Sequence, residues 1–383
     1  MVRWSRALPL LAVVMISTTS GGPPALAGCP DFSLRSASAG LNPYSVVVGD
    51  FNRDGRIDLG VANYTSNDVS ILIGNGDGTF LAPVSYAVGI HPIFAATADV
   101  NGDAKLDLVI VNETSNDISV LLGNGDGTFA PARNYAAGLS PISVAVGDFN
   151  DDGKADLVVA NFVSSDLTIL LGNGDGTFGS SASFYMGSPV RSVALADLNG
   201  DGRSDLVWIA AEGYPVRVIL KNSDGTFIET GYAAALMPFS VILADLNGDH
   251  QNDLAVANRA SNNVSILLGN GDGTFRPDIR RQSVNFGTGK NSVAISTADF
   301  NSDGKVDLAV ANIGSNTVSV LLGNGDGTFA NRIDYVVGSS PSSLAVGDFD
   351  GDGKDDLVVA VANGISILLN RGTCEPRRRV VRH

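Results

Sequence analysis

Asp148-Phe149-Asn150-Asp151-Asp152-Gly153-Lys154-Ala155-Asp156, answered further on by Gly172-Asn173-Gly174-Asp175-Gly176-Thr177-Phe178, is the stretch whose reading decides the fold. The first segment puts side-chain oxygens at its positions 1, 3, 5 and 9 and a glycine at position 6. The second supplies the Gly and Asn positions that a tight hairpin requires. Working outward, the acidic segment recurs along the chain, with first aspartates at Asp50, Asp99, Asp148, Asp197, Asp245, Asp299 and Asp348 and steps of 49, 49, 49, 48, 54 and 49 residues. The hairpin segment follows all but the last, where Asn370-Arg371-Gly372-Thr373-Cys374 replaces it. Seven copies of one unit of this period are the signature of a repeat architecture.

Inside the third copy, the run Ser143 to Asp148 precedes the acidic loop, Ala155 to Ala160 follows it, Leu167 to Leu171 comes next, and a fourth strand ends near Met186. Four strands per unit predict an all-β, seven-bladed β-propeller with four antiparallel strands per blade. Small residues alternate in the first strand (Ala145 and Gly147, Ala194 and Ala196, Ala345 and Gly347), as crowding around an axis requires. The second strand is apolar on both faces, as in Leu157-Val158-Val159, which suits a sheet packed between two neighbours. The expected blades run approximately 41–89, 90–138, 139–187, 188–235, 236–289, 290–338 and 339–374, the last completed by an N-terminal strand within 28–40. The propeller thus spans 28–375, between a signal peptide at 1–27 and a basic disordered tail at 376–383.

The acidic loops read as calcium sites. A hard cation that takes six to eight oxygens needs carboxylates converging from a curved backbone, with position 7 offering its carbonyl. The expected ligands in the first loop are Asp50, Asn52, Asp54 and Asp58 with the carbonyl of Arg56. The next three sets are Asp99, Asn101, Asp103, Asp107 with Lys105, then Asp148, Asn150, Asp152, Asp156 with Lys154, then Asp197, Asn199, Asp201, Asp205 with Arg203. The last three are Asp245, Asn247, Asp249, Asp253 with Gln251, then Asp299, Asn301, Asp303, Asp307 with Lys305, then Asp348, Asp350, Asp352, Asp356 with Lys354. One such loop would be an ordinary turn. Seven in fixed register favour metal, up to one Ca²⁺ per blade, weaker in the second and fifth, where Ala104 and His250 replace glycine. Val61 at position 12, where an EF-hand has Glu, excludes that motif.

The chain carries 25 basic and 40 acidic residues, a formal charge of −15, which disfavours nucleic acid as a partner. Arg3 and Arg6, an apolar run from Ala7 to Ile16 and the sequence Ala25-Leu26-Ala27 read as a cleavable export signal, so the protein is expected to be secreted or extracytoplasmic, without a transmembrane segment and monomeric. Loss of those two arginines takes the charge to −17, and seven divalent ions would bring it to −3. Only two cysteines exist, Cys29 and Cys374, one near each end of the exported chain. A disulfide closing the ring is the favoured reading. The alternative is that Leu26-Ala27-Gly28-Cys29 is a lipoprotein box with lipid on Cys29.

The repeated Asp-Phe-Asn-x-Asp-Gly-x-x-Asp-Leu with Gly-Asn-Gly-Asp-Gly-Thr-Phe resembles the FG-GAP or VCBS repeat, the unit that also builds the integrin α-subunit propeller. That resemblance implies calcium on one face and partner contacts on the opposite one. Ala62-Asn63-Tyr64 stands where the integrin version has Gly-Ala-Pro, so integrin-type adhesion is not implied. The copies differ most in loops expected opposite the metals: Tyr64, Glu113, Phe162, Tyr214 and Arg259 in one set, His91, Phe94, Met237 and Phe239 in or beside the other. Tyr64, Phe162, Tyr214, Arg259 and Phe239 are the candidate partner-binding residues, although loops vary by default. Arg276, Arg280, Arg281 and Lys290 form a basic lip read as solvated charge, and Trp208 reads as core. With three histidines, no Ser-His-Asp arrangement and no nucleophilic cysteine, a noncatalytic binding or adhesion module for an extracellular glycan or protein is expected. A lyase-like carbohydrate-active enzyme and a structural envelope protein are the alternatives.

Overall fold

A computed structural model describes residues 30–212, 215–276 and 284–372. Cys29, Cys374, Tyr214, Arg280, Arg281, the signal segment and the basic tail lie outside the described residues. The described chain forms seven antiparallel sheets, six of them arranged in chain order from the first strand outward and the last with the N-terminal strand at its outer edge. Blade three is typical: Pro141–Gly147, Asp156–Asn161, Asp166–Gly172 and Phe178–Tyr185. No described helix is long and apolar enough to cross a membrane.

Why these strands stack into a ring follows from their burial. Every residue of the second strand is buried in all seven blades, from Asp58–Asn63 to Asp356–Val361. Both faces of each sheet therefore need cover, and the neighbouring blades supply it. Val158 and Ala160 pack toward blade four with Trp208, while Leu157 and Val159 pack toward blade two with Val109 and Val111. Trp208 is 1% exposed, in the core as expected. Leu59 and Val61 of blade one share a cluster with Val358 and Ala360 of blade seven, which shuts the ring. Each such Val or Leu contributes roughly 1.5–3 kcal/mol by leaving water.

The hairpin phenylalanine fastens one blade to the one before it. Phe178 meets Tyr135 edge-on at 5.3 Å, Phe275 meets Tyr232 at 5.5 Å, and Phe329 meets Phe286 at 5.2 Å. Hairpin amides reach back too: Gly127 donates to the carbonyl of Phe51, and Gly78 to that of Phe349 across the closure.

Blade seven has no such hairpin after Gly364–Asn370, and Phe32–Ala37 pairs with that strand instead, Phe32 opposite Asn370 and Ala37 opposite Ile365. Phe32 then takes the place of the missing hairpin phenylalanine, 4.9 Å from Tyr335 and 6.0 Å from Phe300 of blade six. The Tyr335 hydroxyl donates to the carbonyl of Pro30. Phe32→Ala is accordingly expected to destabilise the ring by about 2–3 kcal/mol. Leu34→Ala, on the same strand but 55% exposed, should change stability by less than about 0.5 kcal/mol. Denaturant unfolding of both variants measures the contrast, and equal losses would refute the role given to Phe32.

Candidate functional site

Each acidic loop joins the first strand to the second, so all seven lie at one end of the propeller, where Gly49 pairs with Asp58 in blade one and Gly147 with Asp156 in blade three. The loop curls around its first carboxylate. Asp50 accepts the amides of Asp54 at 3.0 Å and Gly55 at 2.8 Å, and Asp148 accepts those of Asp152 at 3.0 Å and Gly153 at 2.7 Å. The equivalent pair recurs at Asp99, Asp197, Asp245, Asp299 and Asp348. Position 6 sits at φ +82° in Gly55, and Ala104 and His250 adopt the same left-handed conformation at 62° and 63°. A side chain there costs strain without changing the turn.

The ninth position has a structural duty that the spacing does not reveal. One oxygen of Asp58 accepts the amide of Phe51 at 2.9 Å and the other that of Gly74 at 2.8 Å, tying the loop to the end of the third strand. Asp107, Asp156, Asp205, Asp253, Asp307 and Asp356 make the corresponding two bonds. Burial pushes these carboxyls up against the pull of the amides, Asp107 and Asp253 to about 6, Asp307 and Asp356 to about 7. Asp58, Asp156 and Asp205 are raised for the same reason.

Position 7 also does more than offer a carbonyl. Arg56, Lys105, Lys154, Arg203, Lys305 and Lys354 each fold onto the carboxylate at position 5, at 2.5 to 3.8 Å. Hydrogen bonding from Arg56 holds Asp54 down at about 2. A metal in these loops would compete with a tethered cation. Gln251 leaves the fifth loop without that competitor, although His250 lies 3.6 Å from Asp245 there.

The seventh loop departs from the others at position 3. In the first six, the Asn side chain accepts the position 5 amide, as Asn52 does from Asp54 at 3.0 Å. Asp350 instead meets Arg371 at 3.0 Å through one oxygen, while its other oxygen is buried with no hydrogen-bond partner. Oxygens of Asp348, Asp350 and Asp356 lie within 4.8 Å of one another. Converging carboxylates, one with an orphaned buried oxygen, fit a hard divalent cation by donor chemistry.

The opposite end gathers the variable residues. The register skips one residue near the start of the first strand, between Pro43 and Ser45, Val190 and Ser192, and Pro238 and Ser240. Tyr44, Arg191 and Phe239 occupy those bulges, where a side chain can leave the ladder. Tyr64, Glu113, Phe162 and Arg259 follow immediately on the second strands of their blades. Tyr64 stacks on His91 at 4.2 Å and 5°, with Tyr44 at 5.8 Å. The His91 ring nitrogen Nδ1 is 2.8 Å from the Thr114 hydroxyl. Arg191 lies 4.7 Å over Phe162 and 5.8 Å from Phe239, and Arg259 lies 5.5 Å over Phe239. Burial and the charge of Glu113 raise the Tyr44 hydroxyl, while Arg259 pulls it down. Blades one and five are not neighbours, so that influence crosses the axis. Of the candidate partner residues, Tyr64, Phe162, Phe239 and Arg259 lie at this end, and Tyr64, like Tyr44 and Phe94, also packs partly against the core between blades two and three. Tyr44 and Arg191 were missed, yet Arg191 is the one charged residue in a register column that otherwise holds Tyr44, Ile93, Ile142, Phe239, Val293 and Ser342.

A family model described as the FG-GAP-like repeat matches six overlapping stretches, residues 50–110, 99–159, 148–208, 197–256, 245–310 and 299–359. The chain belongs to that family. No curated protein matches its sequence. Among solved structures, an Agrocybe aegerita lectin that recognises non-reducing terminal N-acetylglucosamine is similar at 22% identity and TM-score 0.55, over 84% of this chain and 86% of that one. A streptogramin B lyase is similar at 15% identity and TM-score 0.60, over 90% and 100%. A putative 6-phosphogluconolactonase from Bacteroides uniformis is similar at 19% identity and TM-score 0.60, over 80% and 89%. At these identities the likeness shows the fold alone.

The raised carboxyls set a pH dependence for the chelator-treated chain. The folded state holds protons at position 9 up to about pH 6–7, while the unfolded chain releases them near pH 4. Between those limits the folded state binds more protons, so stability falls as pH rises. The lowered carboxyls at position 5 titrate below that window. In EDTA the melting temperature should therefore be higher at pH 5 than at pH 7.5, and the reverse order would contradict the environment described for position 9.

Proposed function

We propose that this FG-GAP-like repeat propeller is an extracytoplasmic, calcium-supported, noncatalytic module that binds an extracellular glycan or protein at its axial end. The observation that carries the calcium part is the seventh loop, where Asp348, Asp350 and Asp356 converge and one Asp350 oxygen is buried without a partner. Calcium suits an all-oxygen set better than zinc, which favours nitrogen and sulfur, or magnesium, which keeps its waters. Bound there it would supply charge neutralisation to carboxylates held together by the backbone. The chain's own residues do the rest: the first aspartate gathers amides, the ninth anchors the loop, and the basic seventh residue swings clear.

The binding part is supported by where the seven blades differ. One end of the ring repeats nearly the same loop, and at the other the residue changes from Tyr44 to Arg191 to Phe239 between blades. Buried asparagines hold the loops at that end, as Asn63 does by donating to Asp68 at 2.7 Å and Ser70 at 2.9 Å. Such anchored variation suits a recognition surface. Similarity to a lectin propeller supports glycan as one class of ligand.

Calcium at 100 times its dissociation constant would stabilise each occupied site by about 2.7 kcal/mol. EDTA should lower the melting temperature by several degrees. Asp148→Ala with Asp152→Ala should remove one ion per chain by elemental analysis and leave the other loops loaded. Protein free of alkaline-earth metal and indifferent to chelator would overturn the calcium reading. A glycan array and an envelope-extract pull-down in calcium test the binding reading, which fails if neither returns a ligand.

A further inference from the structure

The described chain pairs most of its basic side chains with carboxylates, and Arg191 and Arg259 are exceptions. Neither guanidinium makes an ion pair or donates a hydrogen bond among the described residues, although the protein as a whole is acidic at −15. They come from adjacent blades and share the ring of Phe239, with Arg191 also over Phe162. Aromatic faces attract each cation by about 0.5–2 kcal/mol, but they supply no negative charge. Burial and the nearness of Arg259 both lower the pKa of Arg191. Two like charges, partly stripped of water at the mouth of a ring, are a cost that a bound anion would relieve.

On blades one to three the character changes. A recess of about 450 Å³ is lined by Tyr64, His91, Glu113, Asn116, Leu139 and Ser140 among others. It combines flat ring faces with hydroxyl, amide and carboxylate groups. Aromatic planes meet the C–H faces of sugar rings, and Glu113, Asn116 and Ser140 match their hydroxyls. Glu113 would repel a second carboxylate, so an anionic group belongs on the arginine side.

We propose that Arg191 and Arg259, set between Phe162 and Phe239, form an anion subsite that takes the carboxylate of an acidic saccharide, whose neighbouring rings extend toward Tyr44, Tyr64 and the Glu113 recess. The proposal deepens the binding-module reading by naming its ligand class, and it rests on that reading. Bidentate guanidinium contacts suit a planar carboxylate, and a pair of them explains why two blades contribute an arginine to one aromatic cluster.

The test is calorimetric titration of the full calcium-saturated chain with a trisaccharide of one terminal glucuronate and two neutral sugars, and with its methyl ester. The acid should bind, and the ester should bind about 10-fold more weakly or worse, as expected when a charge-assisted bond is lost. Arg191→Gln and Arg259→Gln should each weaken the acid about 10-fold and leave the ester unchanged. The melting temperature of each should change little, because the like-charge repulsion removed offsets the cation–ring attraction lost. Phe162→Leu, which keeps an apolar support but removes the ring face, should weaken the acid by a smaller factor. Equal affinity for acid and ester, or glutamine variants that bind the acid like the parent, would overturn the subsite while leaving a glycan-binding module in place. No binding of the trisaccharide at all, or arginine-dependent binding of an acidic peptide alone, would overturn the saccharide assignment. Failure of the array and pull-down to return any ligand would instead remove the module reading itself.

Discussion

No blade of this protein has a core of its own. Each sheet is apolar on both faces, and its second strand is fully buried only because a neighbour stands on either side. The hydrophobic effect therefore acts between blades, and closure is a condition of stability for every unit, not only for the last. That demand explains the hybrid seventh blade. A ring left open at blade seven would leave the Tyr335 and Phe300 side unsealed and the Gly364–Asn370 strand an unpaired edge.

The same constraint makes the two ends of the propeller unlike. Where the first strand turns into the second, the chain must reverse sharply and tuck a carboxylate under the end of the third strand. The loop is thereby fixed in shape, and in the seventh copy the oxygens of Asp348, Asp350 and Asp356 come within 4.8 Å of one another. At the other end the turns carry no such clamp on the axis. In six of the seven blades a bulge in the first strand frees one side chain to point away from the ladder, so those positions can diverge without disturbing the core. Tyr44, Arg191 and Phe239 show how far they have diverged.

Much of this was legible in the sequence because repetition amplifies weak signals. One Asp-rich nonapeptide is a turn; seven in register, the first six followed by a glycine-rich hairpin and the last without one, define blade count, strand order and the need for an N-terminal closing strand. What was not legible depended on direction and reach. Asp58 and its counterparts look like any other oxygen donor in the motif, yet both their oxygens are held by amides, one of them 16 residues away. Arg56 and Lys105 read as backbone contributors, whereas their side chains travel back two residues to Asp54 and Asp103. Arg191 is not marked by loop variation, since it sits inside the strand Val190–Ala196. The Phe32 contact with Tyr335 joins segments that only the closed circle brings near.

The seam in blade seven also sets the order in which the protein can be made. Ser33 and Arg371, 338 positions apart, meet across it, so a strand that emerges among the first must wait for one that emerges among the last. Until then its amides and the flank of blade six have no mate. Pairings of such high sequence separation are slow to form and leave strand edges exposed meanwhile. The circle is thus set to lock only after the Gly364–Asn370 strand has been made.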